Sequence, residues 1–191
     1  MIRIVVVDDH PALRAGLDTV LGVEPGLIPV GSAGDAGGLW PLLATCRPDV
    51  VLLDYHLPGD DGLKLCRRIK SRLLAPKVLL YSAYAGSELS IPATLAGADG
   101  VIGKGIPARE LYDAIRRVAS GHVVLPPIPP ELMREASERV DPEDLPILEM
   151  LLHHMPVPDI APMLDVDNAA VERRIDIMIG RLRVEVPEIN P

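Results

Sequence analysis

The stretch Val50–Gly62, VVLLDYHLPGDDG, constrains the fold more than any other part of the chain. Four apolar residues (Val50, Val51, Leu52 and Leu53) run into one acid, Asp54, and a turn rich in Pro, Gly and Asp closes at Gly62. A short apolar run with turn signals behind it reads as a strand buried on both faces, the kind found in a parallel sheet covered by helices. Asp54 then stands at the C-terminal edge of that strand, where open α/β sheets bind ligands. An acid there makes no core; it is presented to something.

The same pattern recurs on both sides. Ile2–Val7 reads as a strand ending in Asp8-Asp9-His10, and Pro11 opens a helix with Leu13, Leu17, Val20 and Leu21 at helical spacing. Leu27–Gly31 is the next strand, and Asp35 caps a helix through Leu39, Trp40, Leu42 and Leu43 with Pro41 in its first turns. After Asp54, the Asp60-Asp61 pair is expected to cap a helix over 63–73 that carries Lys and Arg outward. A strand at Lys77–Tyr81 ends at Ser82, a weaker helix over 86–96 must accommodate Pro92, and a strand at Asp99–Ile102 runs into Lys104. A helix over 107–120 aligns Leu111, Ile115 and Val118. Five such alternations predict an α/β fold: a flavodoxin-like, doubly wound, five-stranded parallel sheet.

Composition is compatible with this. The chain has 191 residues, enough for one large or two small domains, and its hydrophobic fraction of 48% supports a real core. Aromatics make up 3% and Phe is absent, so aliphatic side chains must build that core. Cys46 and Cys66 match no metal spacing and read as buried thiols of a reducing compartment. No apolar run reaches membrane-spanning length and no signal-like start is present, so a soluble, cytoplasmic protein without membrane contact is expected.

In a flavodoxin-like order the strand ends bring Asp8, Asp9, Asp54, Ser82 and Lys104 to one switch point. Three carboxylates stay ionised together only when a cation compensates. An oxygen-rich set of this kind suits Mg²⁺. Such a site can take a phosphoryl group, with Asp54 as nucleophile, Lys104 pairing with phosphoryl oxygens and the Ser82 hydroxyl bonding another. His10 and His56 read as loop residues beside it.

Residues 1–121 resemble a response-regulator receiver domain, and the opening VVVDDHPALRAGL resembles the NarL/FixJ subfamily of two-component regulators. The matching residues are Asp8, Asp9, Asp54, Pro58, Gly62, Ser82, and Lys104 with its preceding GADGVIGK. The resemblance implies that Asp54 accepts phosphoryl from a sensor histidine kinase. It implies that Asp9, Asp54 and the His56 carbonyl ligate Mg²⁺ while Asp8 acts through water, and that Ser82 and Lys104 report the phosphorylation. Such a receiver is no enzyme beyond promoting its own phosphoryl transfer and dephosphorylation. A separate aspartyl-phosphate hydrolase fits poorly, because Tyr55-His56 supplies no second acid as proton donor. One position departs from the family: its Tyr or Phe three residues before the lysine is Val101 here, expected to be a packed strand residue. Transmission would then use Tyr84 or backbone movement.

GHVVLPPIPP, residues 121–130, marks the boundary and reads as a semi-rigid, extended spacer. The expected domains are a receiver over 1–121, a Pro-rich linker over 122–130 and an output domain over 131–191. In the last, Glu131–Arg139 makes a lead-in helix, and Asp141-Pro142 starts a helix with Leu145, Leu148, Leu151 and Leu152. The adjacent His153 and His154 are expected to be structural or solvent-exposed. Pro158–Leu164 makes a short helix, and Asp167 caps a longer one carrying Val171, Ile175, Met178, Ile179 and Leu182, together a helix-turn-helix. This order resembles the LuxR-type (GerE) output domain, with Ile160, Ala161, Leu164, Val166 and Val171 as shared framework. The DNA-facing chemistry differs: the usual Lys is Glu172 and the preceding Thr is Ala170. Arg173, Arg174 and Arg181, with Arg183, form the candidate DNA-binding stripe, and the family's dimer-supporting fourth helix is expected to be missing or very short.

Charge sets the question for this region. Residues 1–121 hold 13 basic and 13 acidic residues, whereas residues 122–191 hold 6 and 14. DNA affinity comes largely from neutralised phosphates, and a domain at −8 repels a duplex overall. Two readings therefore stand: a phosphorylation-controlled transcription factor that dimerises and binds DNA, or an intact receiver whose acidic output domain contacts a protein.

Overall fold

The structure, a computed structural model, describes residues 1–183 except Pro58 and Tyr84, and only the backbone of Asp60. Contacts divide the chain into two units: residues 1–85 with 97–125, and residues 86–96 with the C-terminal segment from Pro126.

The first unit is built on a five-stranded parallel sheet. Its strands are β1 (Ile2–Val7), β2 (Leu27–Ala33), β3 (Val50–Asp54), β6 (Lys77–Ser82) and β7 (Gly100–Gly103), in the order β2-β1-β3-β6-β7. This is the expected flavodoxin-like order. A small antiparallel pair, β4 (His56–Leu57) with β5 (Asp60–Asp61), lies beyond the end of β3. Helices α1 (Pro11–Gly22), α2 (Ala36–Cys46), α3 (Gly62–Lys70) and α5 (Ala108–Ala119) complete the unit.

Period-2 alternation sorts the strand residues to two faces. On one, Ile4, Val6, Val50, Leu52 and Leu79 join Leu17 and Leu21 of α1 and Leu111, Ile115 and Val118 of α5 in one cluster. The alternate residues Val5, Val7, Val51, Leu53, Val78 and Leu80 are buried as well. Helices α2 and α3 contribute the buried Leu39, Leu43, Leu63, Cys66 and Ile69. Asp35 caps α2 by accepting the Gly38 N–H at 2.8 Å, as expected, and Pro41 is housed inside that helix. Helix α3 ends at Lys70 rather than 73: Leu73 and Leu74 are exposed, Leu74 takes a positive φ of 58°, and Pro76 follows. Val124 of the proline-rich segment pairs with β7, accepting the Val101 N–H at 2.8 Å and donating to the Asp99 carbonyl at 2.9 Å.

The second unit is helical. It contains a 3₁₀ turn at Ser87–Leu89, then α4 (Ser90–Leu95), α6 (Pro130–Arg139), α7 (Leu145–Leu152), α8 (Val157–Met163) and α9 (Asn168–Leu182). Asp167 caps α9 by accepting the Ala170 N–H at 2.6 Å. Val171, Ile175, Met178, Ile179 and Leu182 of α9 are buried with Ile147 and Leu148 of α7 and Ile160 and Ala161 of α8. Helices α8 and α9 pack on each other as a helix-turn-helix. Helix α7 begins three residues later than Asp141-Pro142 implied, with Asp144 at its N-cap and Pro146 in its first turn. Asp141 instead opens a turn whose carbonyl accepts the Asp144 N–H at 2.8 Å. His153 and His154 are exposed. A fourth helix after Arg183 would fall outside the described residues, as do Pro58 and Tyr84.

Candidate functional site

Parallel register places the site. Val7 pairs with Leu53, Leu53 with Leu80, and Leu80 with Val101, so these four buried residues form one row across the sheet. One step further along the strands the row becomes polar: Asp8 follows β1, Asp54 ends β3, and Ser82 lies another residue on in β6. Lys104 follows β7, its N–H donating to the Ser82 carbonyl at 2.8 Å.

The side chains converge. Lys104 Nζ donates to Asp8 Oδ2 at 2.7 Å and to Asp54 Oδ2 at 2.8 Å. Asp8 is 1% exposed and Asp54 3%. Asp54 Oδ1 accepts the His56 N–H at 3.2 Å, and Asp8 Oδ1 accepts the His10 N–H at 2.8 Å. Burial pushes the Asp54 carboxyl above its ordinary value; the Lys104 hydrogen bond and charge oppose this, and the Asp8 charge adds to it. Burial alone would lower Lys104, but the hydrogen bonds it donates to Asp54 and Asp8 hold its ammonium above its usual range. Lysine thus supplies the compensating charge that neighbouring carboxylates require. The Tyr81 hydroxyl donates to the Lys104 carbonyl at 3.3 Å, steadying the loop that carries it.

Two residues at the rim answer to the turn after Asp54. Asp61 caps α3, accepting the Leu63 N–H at 2.9 Å, as expected of the Asp60-Asp61 pair. Gly62 has no room for a side chain: a Cβ there would lie 2.5 Å from the Asp54 carbonyl oxygen and 2.7 Å from Tyr55 Cα. Ser82 is fully buried at this edge, and Val101 is a packed strand residue, 4% exposed.

Asp9 and His10 bear on a cation. Among the described residues, Asp8, Asp9, His10 and Asp54 each place one ligand atom within 4.8 Å of all the others. Asp9 Oδ1 is shut off from solvent without a well-directed hydrogen bond. His10 Nδ1 lies 2.6 Å from it. A buried carboxylate oxygen lacking a donor, beside two further carboxylates, fits a hard divalent cation. Sequence reasoning set His10 aside as a loop residue; its adjacency to Asp8-Asp9 was the available signal. The Tyr81 contact had none. The His56 side chain is exposed. Cys66 is no competing site, since burial pushes its thiol up to about 12.

The candidate DNA-binding arginines lie in the second unit. Arg173 is exposed on α9. Arg174 Nη1 lies 3.3 Å from Asp144 Oδ1, and Arg181 Nη1 lies 2.7 Å from Asp141 Oδ1. The three do not form one unencumbered basic stripe, because i and i+1 point apart on a helix and acids of the same unit take two of them.

Residues 4–116 match the response regulator receiver domain family. The chain belongs to the response-regulator family. The DNA-binding transcriptional activator DevR/DosR of Mycobacterium tuberculosis is 30% identical, over 97% of this chain and 90% of that protein. The nitrate/nitrite response regulator protein NarL of Escherichia coli is 27% identical, over 95% of this chain and 89% of that protein. The crystal structure of a LuxR-family two-component response regulator from Aurantimonas sp. matches with a TM-score of 0.62 and 34% identity, covering 74% of this chain and 99% of that one. The NarL/FixJ, LuxR-type resemblance read from the motifs is thus borne out over nearly the whole response regulator. Among its described residues, no helix is long and apolar enough to cross a membrane.

Proposed function

We propose that this response regulator is phosphorylated on Asp54 by a sensor histidine kinase and controls transcription by binding DNA through its C-terminal helices. The observation that carries the reading is the buried Asp54 carboxylate that shares the Lys104 ammonium with Asp8 at the switch point. In the transfer, an Asp54 oxygen attacks phosphorus, a P–O bond forms, and the P–N bond to the kinase histidine breaks. The Lys104 ammonium exchanges carboxylate oxygens for phosphoryl oxygens, and the Ser82 hydroxyl turns to bond another. Asp9, Asp54 and the His56 carbonyl would hold Mg²⁺, with Asp8 acting through water. Bound there, the ion neutralises charge that develops on the transferring oxygens.

The domains of this reading are a receiver over 1–121, a linker over 122–130 and an output domain over 131–191. The names of the relatives DevR/DosR and NarL support transcription as the output. One observation favours a protein-binding output instead: Arg174 and Arg181 already face acids in a segment at net −8.

The test is phosphoryl incorporation from a small-molecule donor with Mg²⁺, followed by anisotropy of fluorescent genomic fragments at rising salt. Incorporation should vanish in Asp54→Asn; if that variant still takes up phosphoryl, the assignment is wrong. Binding that weakens steeply with salt marks a DNA-binding output, and none at low salt moves the search to protein partners.

A further inference from the structure

Helix α9 meets an acidic turn of its own unit. The turn Asp141–Asp144 immediately precedes α7 and carries Asp141, Glu143 and Asp144. Arg181 Nη1 lies 2.7 Å from Asp141 Oδ1. Arg174 Nη1 lies 3.3 Å from Asp144 Oδ1, and its Nη2 lies 4.0 Å from Glu143 Oε2. The two arginines are seven residues apart, two helical turns along one side of α9, so a single short turn engages both.

The pairs differ in how firmly they hold. The Asp144 side chain is 8% exposed and anchors Arg174 at the α7 N-terminus. Asp141 and Arg181 are 55% and 41% exposed. An ion pair in water is weak and screened by salt, so other anions can displace Asp141 from Arg181. The hydrogen bond from Arg181 holds the Asp141 carboxyl below its ordinary value.

We propose that Asp141 is an internal substitute for a DNA phosphate: it holds Arg181 in the unbound protein, is displaced when α9 meets a duplex, and thereby sets the affinity of the output unit. This rests on the DNA-binding reading above. Two effects combine in Asp141: it occupies a cation that would neutralise a phosphate, and it adds a repulsive charge of its own. Removing its charge should release both, whereas removing an acid that does not pair with Arg181 releases only repulsion.

The experiment uses the full chain and a fluorescent random-sequence DNA duplex, with anisotropy followed across a salt series. The proteins are wild type, Asp141→Asn, Arg181→Gln, the double variant, and Glu138→Gln, which removes the same charge from an exposed position on α6. Asp141→Asn should bind several-fold more tightly than Glu138→Gln, with a logarithmic salt slope steeper by about 0.9, the value for one more phosphate neutralised. In the Arg181→Gln background the gain should fall to that of Glu138→Gln, the part owed to repulsion alone. Equal affinity and slope for Asp141→Asn and Glu138→Gln, or a gain above that of Glu138→Gln that survives without Arg181, overturns the proposal while leaving wild-type DNA binding intact. Binding by Asp141→Asn where wild type shows none supports both proposal and reading. Absence of binding by all five proteins at the lowest salt overturns the DNA-binding reading and the proposal with it.

Discussion

Asp54 is held in a balance that a single atom can upset. Its carboxyl is buried, shares Lys104 with Asp8, and has the backbone of Gly62 directly against its own carbonyl oxygen. Gly62 donates its N–H to the Tyr55 carbonyl at 3.0 Å, which draws the start of α3 tight against the end of β3. A methyl group at 62 would meet backbone atoms, which cannot swing aside as a side chain can. Gly62→Ala should therefore cost about 1–3 kcal/mol, the usual range for overpacking. It should also lower phosphoryl uptake at Asp54 by shifting that residue. Urea unfolding and the incorporation assay would check the two effects, and wild-type behaviour in both would mean the turn relaxes freely.

Helix α4 is an element whose stability lies outside itself. Six residues with Pro92 among them form no stable helix in water, since nucleation is costly and few bonds follow it. Yet every residue from Ser90 to Leu95 is buried, α4 packs on α7 and α9, and the Ser90 hydroxyl donates to the Pro126 carbonyl at 2.8 Å. The segment that leaves Ser82 thus enters the helical unit within a few residues. That continuity is a covalent route from the sheet edge that does not pass through Val101. Ile91 is 2% exposed. Ile91→Ala should destabilise the helical unit by about 2–5 kcal/mol, as buried truncations do. Hydrogen exchange should show α9 amides losing protection while β1 and β3 keep theirs; unchanged α9 protection would separate α4 from that unit's stability.

At the scale of the molecule, the two units have separate buried residues: an aliphatic sandwich around the sheet and a helical cluster centred on Ile147, Ile160, Val171 and Ile175. Two cores favour departure from two-state unfolding. Calorimetry should give a total enthalpy above the van't Hoff value. Beryllofluoride with Mg²⁺, a phosphoryl stand-in, should raise the transition of the sheet unit first, because a ligand stabilises what it binds. One two-state transition by all probes would show instead that the units melt together.

Strand ends were legible in the chain because periodicity and punctuation are local. Apolar runs closing on Asp8, Asp54, Ser82 and Lys104 define parallel strands, and the parallel order then leaves one edge for those four residues. The caps Asp35, Asp61 and Asp167 were legible for the same reason: each satisfies N–H groups two or three residues away. Other features needed the tertiary structure. Only packing places residues 86–96 with the helical unit, since a short apolar helix goes wherever it is covered. Asp141 read as a helix cap in a local window, but its charge is answered by Arg181, forty residues on, once α7 and α9 pack. Arg174 and Arg181 read as one basic stripe, and no local pattern could show the acids that meet them. Interactions between near neighbours are written in sequence spacing, whereas the partner of a long side chain is set by which surfaces fold together.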